Sequence, residues 1–230
     1  MFGWLLRFFR KLEKSLEKKI EGQDSGVNPH YLEASRAAQR IMLDNKVKID
    51  GLVFIPNLIL VPFSQSKKVP DSYIPNLLEN IKNSTEANVY KILAPFAVHI
   101  VYVENGFSEV EMAWADKDEN VAVGMVECCQ GPLKGQIWGI SLEGAIIGRG
   151  KGTDIHIEAD EKMSRLHFKV SVSADDQIIV QDLGSRNGTF IRNKAIATKK
   201  NIKKSSGIEI RAGNSSFKCY AFPGQVKYWS

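Results

Sequence analysis

Cysteine is scarce in this 230-residue chain, which has only Cys128, Cys129 and Cys219. Two adjacent cysteines and one distant one make neither a disulfide framework nor a CxxC ligand pair, so a reducing compartment is expected. Histidine is scarce as well. His30, His99, His156 and His167 are scattered, no His/Cys spacing suits a metal, and neither a metal nor a cofactor is expected. Long hydrophobic runs are missing, and none approaches the roughly 18 residues of a membrane span. The longest, Ile92–Val103, contains Pro95 and His99 and is rich in β-branched residues, which suits a buried strand. The apolar start Met1–Leu6 has no basic region before it and is broken by Arg7, so no secretory signal is expected. The expected location is cytoplasmic. Internal repeats and low-complexity tracts are also lacking.

What is there suits a folded protein. Hydrophobic residues make up 43% and charged residues 25%, close to the soluble globular average, so a core can be buried. The length allows one large domain or two small ones. The 31 basic and 26 acidic residues leave +5, too mild a balance to identify a nucleic-acid binder.

The charges are unevenly placed. Residues 1–20 carry six basic side chains against two acidic ones, residues 104–127 carry seven acids against Lys117, and residues 133–230 carry 16 basic and 9 acidic residues. The reversal around Asp116–Glu127 marks a boundary, with an N-terminal unit over 1–115, a linker over 116–132 and a second unit over 133–230.

The first unit reads as α+β. Leu5, Phe9, Leu12, Leu16 and Ile20 recur at helical spacing among basic residues, a basic amphipathic helix over 2–20. Asn28-Pro29 opens a second helix running to Asp44, with Leu32, Ala38, Ile41 and Met42 inward. Strands are expected at Lys46–Asp50 and Leu52–Phe63, with Pro56 and Pro62 demoting parts of the latter to edge or bulge positions. A helix over 71–85 and strands near Lys91–Val103 and Glu109–Ala115 complete it.

The second unit reads as an all-β sandwich. Short strand-like runs recur at 135–140, 144–147, 154–157, 167–172, 177–181, 189–191, 207–211 and 216–221. Asp175-Asp176, Asn187-Gly188 and Gly213-Asn214 supply turns.

Three elements of this unit call for a common explanation: Gly148-Arg149-Gly150, Ser164-Arg165-Leu166-His167, and Gly184-Ser185-Arg186-Asn187-Gly188-Thr189. Loops at one end of a sandwich converge, and these would present guanidinium forks, a serine hydroxyl and an asparagine amide together. That set suits a phosphate on a peptide, because Arg gives bidentate charge-assisted bonds and Asn serves a peptide N–H and C=O at once.

These residues resemble the forkhead-associated (FHA) family, whose signature is Gly-Arg, Ser-x-x-His and Asn-Gly-Thr in this order and at about these separations. The resemblance covers roughly 133–223 and implies an FHA/SMAD-like β-sandwich that binds phosphothreonine. It implies that Arg149 and Ser164 hold the phosphate, that Arg165 assists, and that Arg186 and Asn187 contact the peptide backbone. It makes Gly148, His167, Gly188 and Thr189 structural. One departure is Ser205-Ser206-Gly207-Ile208, where the family usually has a Gly-Asp turn. The first unit resembles the N-terminal domain of bacterial FhaA-type proteins through its amphipathic opening helix, Asn28-Pro29 and the run Ile55–Val61.

Rival chemistries fit the residues poorly. Ser164, His167 and Asp182 lack a nucleophile elbow or any other recognisable nucleophile context. Gly148–Thr153 fails as a P-loop, since Lys151 is followed by Gly152 and position 145 is Ala. Neither an enzyme, nor a small-molecule substrate, nor a nucleic-acid partner is expected. The helix at 2–20 has three readings: packing on its own unit, peripheral attachment to the inner face of an anionic membrane, or self-association. The expected function is a phosphothreonine-reading adaptor in bacterial Ser/Thr kinase signalling. The alternative is a constitutive scaffold that binds a membrane or a protein without phosphate.

Overall fold

The computed structural model describes residues 31–66, 68–86, 90–103, 109–196, 199–202 and 207–226. The basic helix expected at 2–20, the Asn28-Pro29 start and the departure at Ser205-Ser206 lie outside them. The chain divides into two compact units, Met1–Trp114 and Ala115–Ser230.

In the first unit, α1 (Tyr31–Asp44) and α2 (Tyr73–Glu86) pack on the sheet β5-β3-β6, formed by β5 (Ala97–Val103), β3 (Leu58–Ser64) and β6 (Glu111–Ala113). Each helix buries a stripe at spacing four, Ala34, Ala38 and Met42 on α1 and Tyr73, Leu77 and Ile81 on α2. On α1 the buried stripe includes Ala38 and Met42 as expected, with Ile41 packed partly buried against the core, while Leu32 is 40% exposed. Pro75 falls in the first turn of α2, where a missing N–H costs nothing. Ile59, Val61 and Phe63 face the helices, and the Phe63 and Tyr73 rings meet edge-on at 4.9 Å.

The strand expected over 52–63 is two strands in different sheets. β2 (Leu52–Phe54) pairs with β1 (Val47–Ile49) and β4 (Tyr90–Lys91), while β3 pairs with β5 and β6. The break falls at Ile55-Pro56-Asn57, where proline cannot donate to a ladder. Pro62 is tolerated because β6 covers only Leu58–Leu60, so from there β3 has a neighbour on one side.

The second unit is a two-sheet β-sandwich. One sheet has the order β10-β9-β11-β12-β15 and the other β14-β13-β16-β17-β7-β8. The strands are β7 (Gly124–Gln130), β8 (Ile137–Ile140), β9 (Ala145–Gly148), β10 (Ile155–His156), β11 (Phe168–Val172), β12 (Ile178–Asp182), β13 (Thr189–Ile191), β14 (Lys194–Ile196), β15 (Lys199–Ile202), β16 (Ile208–Ala212) and β17 (Ser215–Ala221). β11 and β16 alternate buried and more exposed residues, as a strand with one core face must. Phe168 and Phe217 meet across the core with ring centroids 5.6 Å apart.

Two features depart from the sequence reading. Residues 124–130, placed within a linker, form β7, which pairs with both β17 and β8. Cys128 is fully buried in it, acting as a small apolar side chain. Just before it, residues 116–120 make a local turn, in which the Asp116 carboxylate accepts the Asp118 and Asn120 amides at 2.9 Å. The other departure is the hairpin β13–β14, whose turn places Arg192 and Asn193 at φ of 50° and 61° without any glycine.

Candidate functional site

Three loops meet at one end of the five-stranded sheet. β9 leads into residues 149–154, β10 into 157–167 and β12 into 183–188. Their meeting is made of backbone bonds. Arg149 N–H donates to the Ser164 carbonyl and Gly150 N–H to the Arg165 carbonyl, both at 2.9 Å. This approach requires glycine at 148, because a Cβ there would overlap the Arg165 carbonyl oxygen.

The segment Lys162–Met163–Ser164 is the hub. Its three consecutive carbonyls accept from the Asn187 side chain at 2.6 Å, the Arg149 Nε at 3.3 Å and the Arg149 amide at 2.9 Å. The Ser164 Oγ accepts the Arg186 amide at 2.9 Å, tying the third loop to the second. Arg149, Lys162, Arg165, Arg186 and Asn187 are exposed and Ser164 is half-buried. The 162–165 segment therefore brings together Arg149, Ser164, Arg186 and Asn187, with Asn187 joined through the Lys162 carbonyl and Arg165 through its own backbone.

His167 holds this arrangement from beneath. It is fully buried, its Nδ1 accepts the Ser164 amide at 3.0 Å, and its Nε2 donates to the Gly188 carbonyl at 3.2 Å. Those partners define one neutral tautomer. Burial lowers its pKa below the usual histidine value, opposed by the bond to Gly188 and the charges of Asp182 and Asp160. With both ring nitrogens on backbone groups, His167 makes no nucleophile–base pair with the Ser164 hydroxyl.

The Gly184–Thr189 turn is organised by Asp182. Its carboxylate accepts the Gly184 amide at 2.9 Å, the Ser185 amide at 2.8 Å, the Ser185 hydroxyl at 2.6 Å and the buried Thr189 hydroxyl at 2.5 Å. Burial pulls its pKa upward, but these four bonds outweigh it and hold the carboxyl below the usual range. Gly188 sits at φ +77°, the left-handed region that glycine enters without strain.

Sequence reasoning missed the organising role of Asp182 and missed Asp160 and Lys162 entirely. Asp182 had a usable signal, since Asp-Leu-Gly-Ser is an Asx-turn pattern. Lys162 acts through its carbonyl, which no side-chain pattern announces. Among the described residues there is no cluster of His, Cys, Asp and Glu that would hold a metal.

Comparison with known proteins bears on this unit. Residues 145–213 match the family model of the FHA domain. The chain thus carries an FHA-domain match within its two-sheet β-sandwich, preceded by an α+β unit. Three solved structures illustrate the likeness. An FHA domain studied for its phosphothreonine-dependent interactions is 23% identical, with 44% of this chain and 97% of that one covered at a TM-score of 0.38. The FHA domain of the CT664 protein from Chlamydia trachomatis is 21% identical, covering 43% and 97% at 0.39. The FHA domain of an Arabidopsis thaliana hypothetical protein is 26% identical, covering 44% and 86% at 0.38. No curated protein matches the chain significantly.

Proposed function

We propose that the second unit reads phosphothreonine on a partner protein and that the chain works as a non-enzymatic adaptor. The observation that carries this reading is the joining of Arg149, Ser164, Arg186 and Asn187 through the Lys162–Arg165 backbone. With its Oγ accepting from the Arg186 amide, Ser164 keeps its own O–H to donate to a phosphate. Arg149 has its Nε on the Met163 carbonyl, which leaves the two terminal nitrogens of its guanidinium to bond a phosphate. Asn187 keeps a second N–H and its carbonyl oxygen for a peptide backbone. Arg165 and Arg186 add positive charge against a phosphate of roughly −1.5 to −2.

In the finer reading, the phosphate comes from a bacterial Ser/Thr kinase and the adaptor acts in the cytoplasm. Residues 1–115 are an FhaA-type domain, with 2–20 available for packing on it, for peripheral contact with the inner membrane face or for self-association. Domain order and sequence pattern support that part.

The test is a titration of a labelled threonine peptide, phosphorylated and not, against the wild-type chain and Arg149→Ala. The reading expects binding of the phosphorylated form alone, weakened by the substitution. Equal binding of both peptides would instead favour a phosphate-independent scaffold.

A further inference from the structure

The hub segment is itself held by a residue outside the set of ligand-facing side chains. Asp160 is fully buried, four residues before Ser164. Its backbone carbonyl accepts the Met163 amide at 3.0 Å, and its carboxylate accepts the Lys162 amide at 3.2 Å. The same carboxylate reaches across to the turn between β16 and β17. There it accepts the Asn214 amide at 2.9 Å and the Ser215 hydroxyl at 2.6 Å. Gly213 lies so close to this carboxylate that a Cβ would meet its oxygens at 2.8–2.9 Å. One side chain therefore fastens a loop of the five-stranded sheet to a turn of the six-stranded sheet.

The Met163 amide shares a peptide plane with the Lys162 carbonyl, so its bond to the Asp160 backbone turns that carbonyl to Asn187. The Asp160 carboxylate, holding the Lys162 amide and the Asn214–Ser215 turn together, fixes the place of the segment that also carries the Met163 carbonyl to Arg149. We infer that Asp160 is a positioning residue of the phosphopeptide site, pre-setting Arg149, Asn187 and Arg186 through the Lys162–Met163–Ser164 backbone. The inference rests on the phosphothreonine reading for its affinity consequence, though not for its structural one. The physical reason is pre-organisation. Side chains already held in the bound geometry lose less freedom on binding, so loosening their support weakens binding without removing any contact to the ligand.

The experiment uses the full chain, with Asp160→Ala, Asp160→Asn and Ser215→Ala. Asparagine is the conservative variant, since Oδ1 still accepts from Lys162 and Asn214 while Nδ2 donates to the Ser215 hydroxyl. Affinity for a phosphothreonine peptide is measured alongside amide hydrogen exchange. In Asp160→Ala, binding is expected to weaken roughly tenfold or more. The Arg149 and Arg186 amides are expected to exchange at least about tenfold faster while Val170, in the core of β11, is unchanged. Asp160→Asn restores most of both, and Ser215→Ala leaves affinity within about twofold of wild type.

Uniformly faster exchange across the sandwich in Asp160→Ala, with affinity intact once the unfolded fraction is corrected, overturns the inference. Should Asp160→Ala fail to fold, Asp160→Ser, too short to span from the Lys162 amide to the Asn214–Ser215 turn, takes its place: affinity lost beyond what its stability change accounts for supports positioning, and affinity intact once the unfolded fraction is corrected overturns it. Should wild-type protein bind no phosphopeptide, the functional reading falls, while the exchange of Arg149 and Arg186 still supports or overturns the role of Asp160.

Discussion

The side-chain amide of Asn187 donates to the Lys162 carbonyl at 2.6 Å, joining loops 25 residues apart. The bond fixes the plane of the amide, and so the direction in which its remaining N–H and oxygen face a peptide. Asn187→Ala is expected to weaken phosphopeptide binding about 10- to 100-fold with little change in melting temperature, since the side chain is exposed. Asn187→Asp should weaken it further by setting a carboxylate beside the phosphate. Fluorescence polarisation and thermal melts check both.

In the proposed reading, Arg149 supplies the charge. A charge-assisted hydrogen bond contributes about 1.5–3 kcal/mol, so Arg149→Ala should cost roughly 10- to 100-fold in affinity. Arg149→Lys keeps the cation but loses the fork, and should recover only part of the loss. Calorimetric titration at two salt concentrations measures it, with the salt dependence shallower in the alanine variant.

His167 predicts a pH dependence of stability. Its folded pKa is lowered by burial, whereas the unfolded value is near 6.5. Between the two, the unfolded chain binds the extra proton, so stability rises with pH there. Stability should be full above about pH 6.5 and fall as the pH drops through the folded value. Urea unfolding at pH 7.5, 6.5 and 5.5 should show the decline, and His167→Asn should flatten it. An unchanged slope in that variant would assign the decline to other groups.

Gly148 tests the closeness of the first two loops. Gly148→Ala presses a methyl into the Arg165 carbonyl and should destabilise the unit by about 1–3 kcal/mol. Phosphopeptide affinity should fall with it, because the Arg149–Ser164 and Gly150–Arg165 bonds must lengthen. Gly152→Ala, with open space around its Cβ, is the control and should leave both unchanged.

Much of the second unit was legible because its signals are side chains at short range. Alternation in Phe168–Val172 and Ile208–Ala212 marks strands with one buried face, and the Gly-Arg, Ser-x-x-His and Asn-Gly-Thr elements name the loops. β7 was not legible, because the cysteine pair and the acidic stretch before it resemble a connector. Its place comes from pairing with β17, some ninety residues later, and no local pattern carries that information. β14 was hidden in the same way, since a turn built on Arg192-Asn193 lacks the usual glycine.

By itself the sequence determined which side chains carry groups suited to a phosphate, since charge, hydroxyl and amide belong to side chains. Arg149, Ser164, Arg186 and Asn187 could be named from it. Only the tertiary structure decided how they are held: through the carbonyls of Lys162, Met163 and Ser164, and from behind by Asp160, Asp182 and His167. The reason is that every residue carries the same carbonyl. Which carbonyls bind is set by where the chain passes, and that is settled only when two sheets close on one core.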